Sequence, residues 1–126
     1  MADAPIRVLL VDDHAMVRRG MRDFLGLHDD LEVVGEAGDG AAAIALVDEL
    51  RPDVVVMDLL MPNVDGIEAT EQIAAAEWAM PVVVLSAYDE PQMIEAALAA
   101  GATSCLKKGV GLDELIEAIR AAQRPY

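Results

Sequence analysis

The stretch that decides the fold is Val54–Asp58, which reads VVVMD, a short apolar run that ends in a carboxylate. A continuous apolar run of this length is typical of a strand buried on both faces of a parallel sheet. Similar runs are Ile6–Val11, interrupted only at Arg7, and Val82–Ser86, and two further strands are predicted at Leu31–Ala37 and Ser104–Lys107. The chain is therefore predicted to contain five strands.

Amphipathic segments alternate with these strands. The first has apolar residues three and four positions apart, as on one face of a helix, and Asp13 is its predicted N-cap. Its apolar face comprises Val17, Gly20, Met21, Phe24 and Leu25. The other predicted helices lie around residues 43–50, 67–74, 91–101 and 112–119. Five helices that alternate with five strands favour an open α/β sheet covered on both faces, because crossovers between parallel strands are right-handed.

Length and composition indicate one acidic, well-packed domain. The chain has 126 residues, 55% of them hydrophobic, and a net charge of −14. A domain this acidic is repelled by DNA phosphates, so DNA binding would have to belong to another segment. Cys105 is the only cysteine, and the sequence shows neither a signal peptide nor an apolar run long enough to cross a membrane. A cytoplasmic protein without membrane contact is expected.

Polar side chains stand where the predicted strands end. Asp12 and Asp13 follow the first strand, Asp58 ends the third, Ser86 ends the fourth and Lys108 follows the fifth. Parallel strands open their C-termini on one edge of the sheet, where ligands bind at the point of strand reversal. Three carboxylates brought together repel one another unless a cation lies among them. Oxygen ligands alone favour a hard ion, and Mg²⁺ suits a site with few protein ligands.

This set of residues suits phosphoryl transfer. Asp58 would be the nucleophile and form an acyl phosphate, while Ser86 would donate a hydrogen bond to a phosphoryl oxygen. A lysine would supply positive charge, and the chemistry alone leaves Lys107 and Lys108 as alternatives.

The motifs that carry a family resemblance are Val11-Asp12-Asp13-His14, Met57–Pro62, Asp65-Gly66, Ser86-Ala87 and Lys108. With them, the chain from Ile6 to about Ala122 resembles the receiver domain of a bacterial two-component response regulator. The intervals agree as well, 45 residues from Asp13 to Asp58 and 22 from Ser86 to Lys108. Residues 13–20 and 33–37 are especially similar to the LuxR/NarL-type subfamily.

The resemblance implies a flavodoxin-like sheet with strand order 2-1-3-4-5 and Asp58 as the phosphoacceptor from a histidine kinase. It selects Lys108 over Lys107. The Mg²⁺ ligands that it implies are Asp13, Asp58 and the backbone carbonyl of Leu60, with Asp12 acting partly through water. The residues that it implies for contact with the phosphoryl group are Ser86 and Lys108.

The chain is expected to be a single receiver domain, 1–126, without the C-terminal helix-turn-helix of LuxR/NarL-type proteins. It would be a phosphorylation-activated switch that controls a DNA-binding output domain and so transcription. The alternative is a free-standing receiver that acts by protein contacts or phosphorelay. It would catalyse only its own phosphorylation and dephosphorylation. A homodimer is expected through the fourth helix, fifth strand and last helix, because that fourth helix is rich in small residues: Ala96, Ala97, Ala99 and Ala100.

Two other functional classes use similar chemistry or the same fold. A metal-dependent phosphatase or phosphotransferase also uses an aspartate nucleophile, but a second acid near it is usual and Leu60 stands two positions after Asp58. A flavin-binding protein would need hydroxyls and glycines in the first strand-to-helix turn. That turn has Asp12 and Asp13, whose charges would repel a phosphate.

The sequence departs from the family at two positions. Cys105 stands three residues before Lys108, where receivers usually have an aromatic side chain whose rotation reports phosphorylation. Tyr88 is the nearest aromatic residue to Ser86. Leu60 occupies a position where many relatives have a polar side chain that helps water to reach the acyl phosphate.

We expect Leu60 and Tyr88 to shield the phosphoryl group and to slow its hydrolysis. In Leu60→Asn, a polar side chain would admit water, so the phosphorylated variant should lose its phosphoryl group faster than the wild type. The measurement is the first-order dephosphorylation rate of both proteins. An unchanged or slower rate in the variant would contradict the expectation.

Overall fold

The fold follows from the predicted alternation of strands and helices. The computed structural model describes residues 4–59, 66–76, 80–86, 91–107 and 111–123, apart from the side chain of Ser86. The elements are β1 (Ile6–Val11), α1 (Ala15–Leu25), β2 (Leu31–Ala37), α2 (Gly40–Leu50), β3 (Val54–Asp58), α3 (Gly66–Ala75), β4 (Val82–Ser86), α4 (Pro91–Ala99), β5 (Ser104–Lys107) and α5 (Leu112–Ala122). The predicted bounds of all five strands are confirmed.

The five strands form one parallel sheet in the order β2-β1-β3-β4-β5, as predicted. The chain first runs outward from β1 to β2, then crosses β1 and continues through β3, β4 and β5. The order therefore reverses between β1 and β3, whose ends are aligned by the pairing of Val11 with Met57. In sheets of this kind, ligands bind beyond the C-termini of the two strands at the reversal.

Alternate residues of each central strand pack on opposite faces of the sheet. In β1, Leu9 and Val11 pack with the helices α2, α3 and α4, whereas Val8 and Leu10 pack with α1 and α5. All five residues of β3 are buried, because helices cover it on both sides. The apolar run that decided the fold is thus the middle of the molecule.

Helix α1 is rotated relative to the apolar face that the sequence predicts. Met21 and Leu25 are buried, but Val17 is 43% exposed and Gly20 is also exposed. The side chain of Arg18, one turn before Met21, is only 19% exposed. The apolar pattern missed this arrangement because it assigns every charged residue to the solvent face.

Polar contacts fix the edge of the sheet where the strands begin. Arg120 near the end of α5 makes two hydrogen bonds to the carboxylate of Asp30, of 2.8 and 3.0 Å. This hydrogen-bonded guanidinium lowers the pKa of Asp30, so its stabilising effect is present above the ordinary carboxyl pKa and is lost as the pH falls through the lowered value. Gln123 donates to the backbone carbonyl of Asp53 at 3.0 Å, and the carboxylate of Asp53 accepts from the backbone of Arg7 at 2.8 Å.

Within the described ranges, every helix is too short or too polar to cross a bilayer.

Gly101, just after α4, lies where a larger residue has no room. Its φ is +111°, a conformation that L side chains rarely adopt, and a Cβ built on it would lie 2.5 Å from the Cβ of Ala74 on α3. A glycine is therefore required both by the backbone and by the contact between the two helices.

We predict that Gly101→Ala lowers the free energy of unfolding by about 1–3 kcal/mol, because it adds backbone strain and a steric clash. The matched control is Gly20→Ala in α1, where a Cβ would meet no atom within 4 Å. The control should raise the free energy of unfolding by about 0.5–1 kcal/mol, since alanine favours the helix. Urea unfolding of the three proteins measures both effects, and equal stability of Gly101→Ala and the wild type would refute this account.

Candidate functional site

The acidic side chains that the sequence singled out lie together where β1 and β3 end. Asp12 directly follows β1 and Asp58 ends β3, on adjacent strands. Asp12, Asp13, His14 and Asp58 each offer a ligand atom, and these atoms all lie within 4.8 Å of one another. The structure therefore brings the three predicted aspartates together and adds an imidazole that the prediction did not include.

The members of this cluster differ in their contact with water. Asp12 is fully buried and Asp58 is 1% exposed, whereas the side chain of Asp13 is 29% exposed and that of His14 is 67% exposed. Asp58 is thus enclosed at the end of the sheet, and Asp13 and His14 form the solvent-exposed side of the cluster. A molecule that approaches from solvent would meet the open side of the cluster before it reaches Asp58.

The turn from β1 to α1 holds the acidic pair. The backbone N–H of His14 donates to Oδ1 of Asp12 at 2.8 Å, a side-chain contact that closes a tight turn. The N-cap of α1 is His14, with extended backbone angles and no side-chain cap bond, so the prediction of Asp13 as the N-cap is wrong. Asp13 instead lies within the cluster, where its Oδ1 is 2.9 Å from Nδ1 of His14.

His14 is a member of the site that sequence reasoning quoted only as part of a motif. Its ring Nδ1 lies 3.3 Å from Oδ1 of Asp12 as well as 2.9 Å from Asp13. The available signal was its place directly after an acidic pair at a strand end. An imidazole there contacts both carboxylates without any long-range packing.

Helix α3 begins against the backbone of the acidic strand end. A Cβ on Gly66 would lie 2.4 Å from the carbonyl oxygen of Asp58 and 2.7 Å from Cα of Leu59, so only glycine permits this approach. The hydroxyl of buried Thr70 donates to the carbonyl of Gly66 at 2.7 Å and closes the first turn of the helix. Gly66 and Thr70 thus hold the start of α3 against the end of β3.

Several contacts predicted for the phosphoryl group and the cation involve residues outside the described part of the chain. The backbone of Ser86 ends β4 and is paired with Lys107, which ends β5 and is exposed. The side chain of Ser86 lies outside the described part of the chain, as do Lys108, Leu60 and Tyr88. Their roles toward a phosphoryl group or a cation stay predictions.

Cys105, which replaces the usual aromatic residue, is half-buried in β5. It packs beside the core cluster beneath α2, α3 and α4. Burial raises the pKa of its thiol, so the thiol stays protonated at neutral pH and behaves as a small apolar side chain.

The donor set fits a hard divalent cation. Carboxylate oxygens of three aspartates converge within 4.8 Å, and their mutual repulsion would be relieved by a positive ion among them. The imidazole of His14 is a further donor, exposed at the edge of the group. The cluster can therefore hold a cation beside a buried carboxylate that is placed to act as a nucleophile.

A five-stranded sheet in this order, with an acidic cluster at its point of strand reversal, is the arrangement expected of a receiver domain. The chain matches the response regulator receiver domain family over residues 8–120 and belongs to that family. The predicted resemblance and the predicted flavodoxin-like topology are thereby confirmed.

Individual relatives indicate the subfamily of the chain. It is 45% identical over 119 residues to the transcriptional regulatory protein LiaR of Bacillus subtilis, a match that covers 94% of this chain and 56% of LiaR. The signal receiver domain of the response regulator NarL from Mycobacterium tuberculosis has a TM-score of 0.90 and 36% identity, and the match covers 95% of this chain and 98% of that one. A LuxR-family response regulator from Aurantimonas sp. SI85-9A1 has a TM-score of 0.88 and 36% identity, with 94% and 84% covered. These matches support the LuxR/NarL-type subfamily.

We predict that Asp58→Asn is more stable than the wild type when divalent cations are absent. The substitution removes one of three like charges held within 4.8 Å while keeping the side-chain shape, and the gain should be about 1 kcal/mol. Urea unfolding in a chelating buffer is the measurement. The control is Asp23→Asn on the exposed part of α1, which changes the net charge equally and should leave stability within about 0.5 kcal/mol. A loss of stability in Asp58→Asn would contradict repulsion as the dominant effect.

Proposed function

We propose that this chain is a phosphorylation-activated switch of a two-component system, in which Asp58 accepts a phosphoryl group from a histidine kinase. The observation that carries the proposal is the position of Asp58, which is 1% exposed at the end of β3 and within 4.8 Å of donor atoms from Asp12 and Asp13. Membership of the receiver family supports it.

In the proposed reaction, a carboxylate oxygen of Asp58 attacks the phosphorus of a phosphohistidine. The new P–O bond gives an acyl phosphate, while the P–N bond breaks and its electron pair remains on the imidazole of the kinase. Little covalent assistance is needed in such a transfer, because positioning and charge stabilisation dominate. Ligand atoms of buried Asp12 and of Asp13, whose side chain is 29% exposed, lie within 4.8 Å of the carboxylate of Asp58.

We propose Mg²⁺ as the cation of the cluster, held by Asp13, Asp58 and the backbone carbonyl of Leu60, with Asp12 acting partly through water. When bound, Mg²⁺ would neutralise charge on the carboxylates and on the arriving phosphoryl group. The three carboxylates within 4.8 Å support this choice, since they offer the hard oxygen ligands that Mg²⁺ prefers. Ser86 and Lys108 are proposed to contact the phosphoryl group.

The proposed output is control of transcription. The chain spans 56% of LiaR, which is named a transcriptional regulatory protein, and this relation supports a receiver domain that acts on a DNA-binding output domain in a longer protein. The receiver itself has a net charge of −14 and is unsuited to DNA. A free-standing receiver that acts by protein contacts or phosphorelay is the alternative.

The added phosphoryl group brings about −1.5 to −2 charges and would bias two pre-existing conformations through contacts that differ between them. We propose that the face formed by α4, β5 and α5 carries the change to a second copy of the chain. Exposed Leu98 and Leu112 lie on two of these elements. Of the four alanines that suggested the face, Ala97 and Ala100 pack inward, so only Ala96 and Ala99 are available to a partner. We place the protein in the cytoplasm, where a kinase would reach it.

An enzyme acting on a foreign substrate is a weaker candidate. A phosphatase would need a second acid near the nucleophile, and the described acids near Asp58 are those of the cation cluster. Flavin binding is disfavoured because the first strand-to-helix turn presents Asp12 and Asp13 where a phosphate would lie. We propose that the chain catalyses only its own phosphorylation and dephosphorylation.

The proposal is tested by incubation with acetyl phosphate and Mg²⁺, followed by intact-mass measurement. The wild type should gain the mass of one phosphoryl group, and Asp58→Asn should not, because its amide is not a nucleophile. Asp53→Asn is a control from the opposite edge of the sheet and should still be phosphorylated. Failure of the wild type to gain the mass, or its gain by Asp58→Asn, would reject Asp58 as the acceptor.

A further inference from the structure

Arg18 is the charged residue of α1 that is turned toward the acidic site. Its Nη1 donates to the backbone carbonyl oxygen of Asp12, and its Nε donates to Oε1 of Glu36 at 3.2 Å. Its side chain is only 19% exposed, whereas the adjacent Arg19 is exposed. One guanidinium thus links a helix, the end of β1 and the edge strand β2.

Glu36 restrains Arg18 through hydrogen bonds to two arginines of α1. It lies near the end of β2, opposite Leu10 of β1, with its side chain 25% exposed. Its second oxygen accepts from Nη1 of Arg22 at 2.7 Å, so both carboxylate oxygens are engaged by α1. The backbone N–H of Asp12 also donates to the carbonyl of Ala37 at 3.0 Å, which ties the same turn to β2.

The contact with Asp12 is made to its backbone, and this location determines its effect. The carbonyl of Asp12 belongs to the peptide that joins it to Asp13, so a donor fixed on that oxygen limits the rotation of both residues. The carboxylate of Asp12 is itself held by the backbone N–H of His14 at 2.8 Å. Loss of Arg18 would remove the contact that ties the carbonyl of this peptide to α1.

We propose that Arg18 is a positioning residue for the cation site, which holds the peptide between Asp12 and Asp13 so that their carboxylates stay convergent. The proposal rests on the proposed function, since it concerns the same Mg²⁺ site. Arg18 does not touch the reacting atoms. It acts through the turn, as residues behind metal ligands orient those ligands elsewhere.

Charge and geometry predict opposite consequences of removing Arg18. A cation near a Mg²⁺ site repels the ion, so loss of a positive charge alone would tighten binding. Loss of a fixed turn would weaken binding, because the carboxylates would have to be ordered when the ion arrives. The ion pair with Glu36 offsets the charge of Arg18, so the geometric effect should dominate.

The test is Mg²⁺ affinity, measured by isothermal titration calorimetry for the wild type, Arg18→Met and Arg18→Lys. Arg18→Met keeps a long side chain and should bind Mg²⁺ about tenfold or more weakly, the usual cost of losing a group that orients a ligand. Arg18→Lys keeps the charge but lacks the planar guanidinium that donates to two acceptors at once. Its Mg²⁺ binding should also be weaker than that of the wild type, by about threefold or more. Arg19→Met is the matched control on exposed α1 and should differ from the wild type by less than about twofold.

A second readout separates positioning from a general loss of structure. The rate of phosphorylation by acetyl phosphate should require more Mg²⁺ for half its maximum in Arg18→Met, but saturating Mg²⁺ should restore the wild-type maximum. Far-UV circular dichroism establishes that each variant is folded. If Arg18→Met does not fold, Arg18→Lys decides the question alone.

Wild-type affinity in folded Arg18→Met, or in Arg18→Lys, would overturn the inference and leave the proposed function intact. Tighter binding in Arg18→Met would show that the charge, and not the geometry, matters. A maximum rate that stays low at saturating Mg²⁺ would likewise overturn it. Failure of the wild type to bind Mg²⁺ would reject the proposed function itself, and the inference with it.

Discussion

Like charges at one edge of the sheet repel one another, and the fold must hold them together against that repulsion. Asp12 is buried directly after β1 and Asp58 is buried at the end of β3, so the pairing of these two strands keeps the backbones of the two acids close together. Residues of both strands are packed on the two faces of the sheet. Apolar burial of about 25 cal/mol per Å² thus opposes the carboxylate repulsion. The core is in this sense the support of the acidic site.

Contacts near the strand ends hold the acidic residues in addition to the packing of the core. The turn after β1 is closed by the hydrogen bond from His14 to Asp12, and it is held from outside by Arg18. On the other strand, Gly66 brings the start of α3 against the backbone of Asp58. Arg18 and Gly66 contact main-chain atoms close to the carboxylates, whereas His14 donates to the carboxylate of Asp12 itself.

The sequence was sufficient for the strands because a continuous apolar run carries its own signal for a buried parallel strand. It was sufficient for the convergence of Asp12, Asp13 and Asp58, since parallel strand ends share an edge. The contact between Arg18 and Glu36 could not be predicted, because the residues are 18 positions apart and the apolar pattern treats arginine as solvated. Asp13 was wrongly predicted as the N-cap because α1 begins at Ala15, so that His14 is the N-cap and its backbone N–H donates to Asp12.

The contact at Gly101 determines how α4 can move. A Cβ at Gly101 would lie 2.5 Å from the Cβ of Ala74, so the chain just after α4 is packed closely against α3, and we expect a tilt of α4 to turn about this end. The helix has nine residues and is about 13 Å long, so a tilt of about 10° displaces its first residue by about 2 Å. The N-terminal end of α4 is nearer the C-terminal edge of β4, and therefore nearer the acidic site. We expect a small structural change at that edge of the sheet to displace the N-terminal end of α4 more than its C-terminal end.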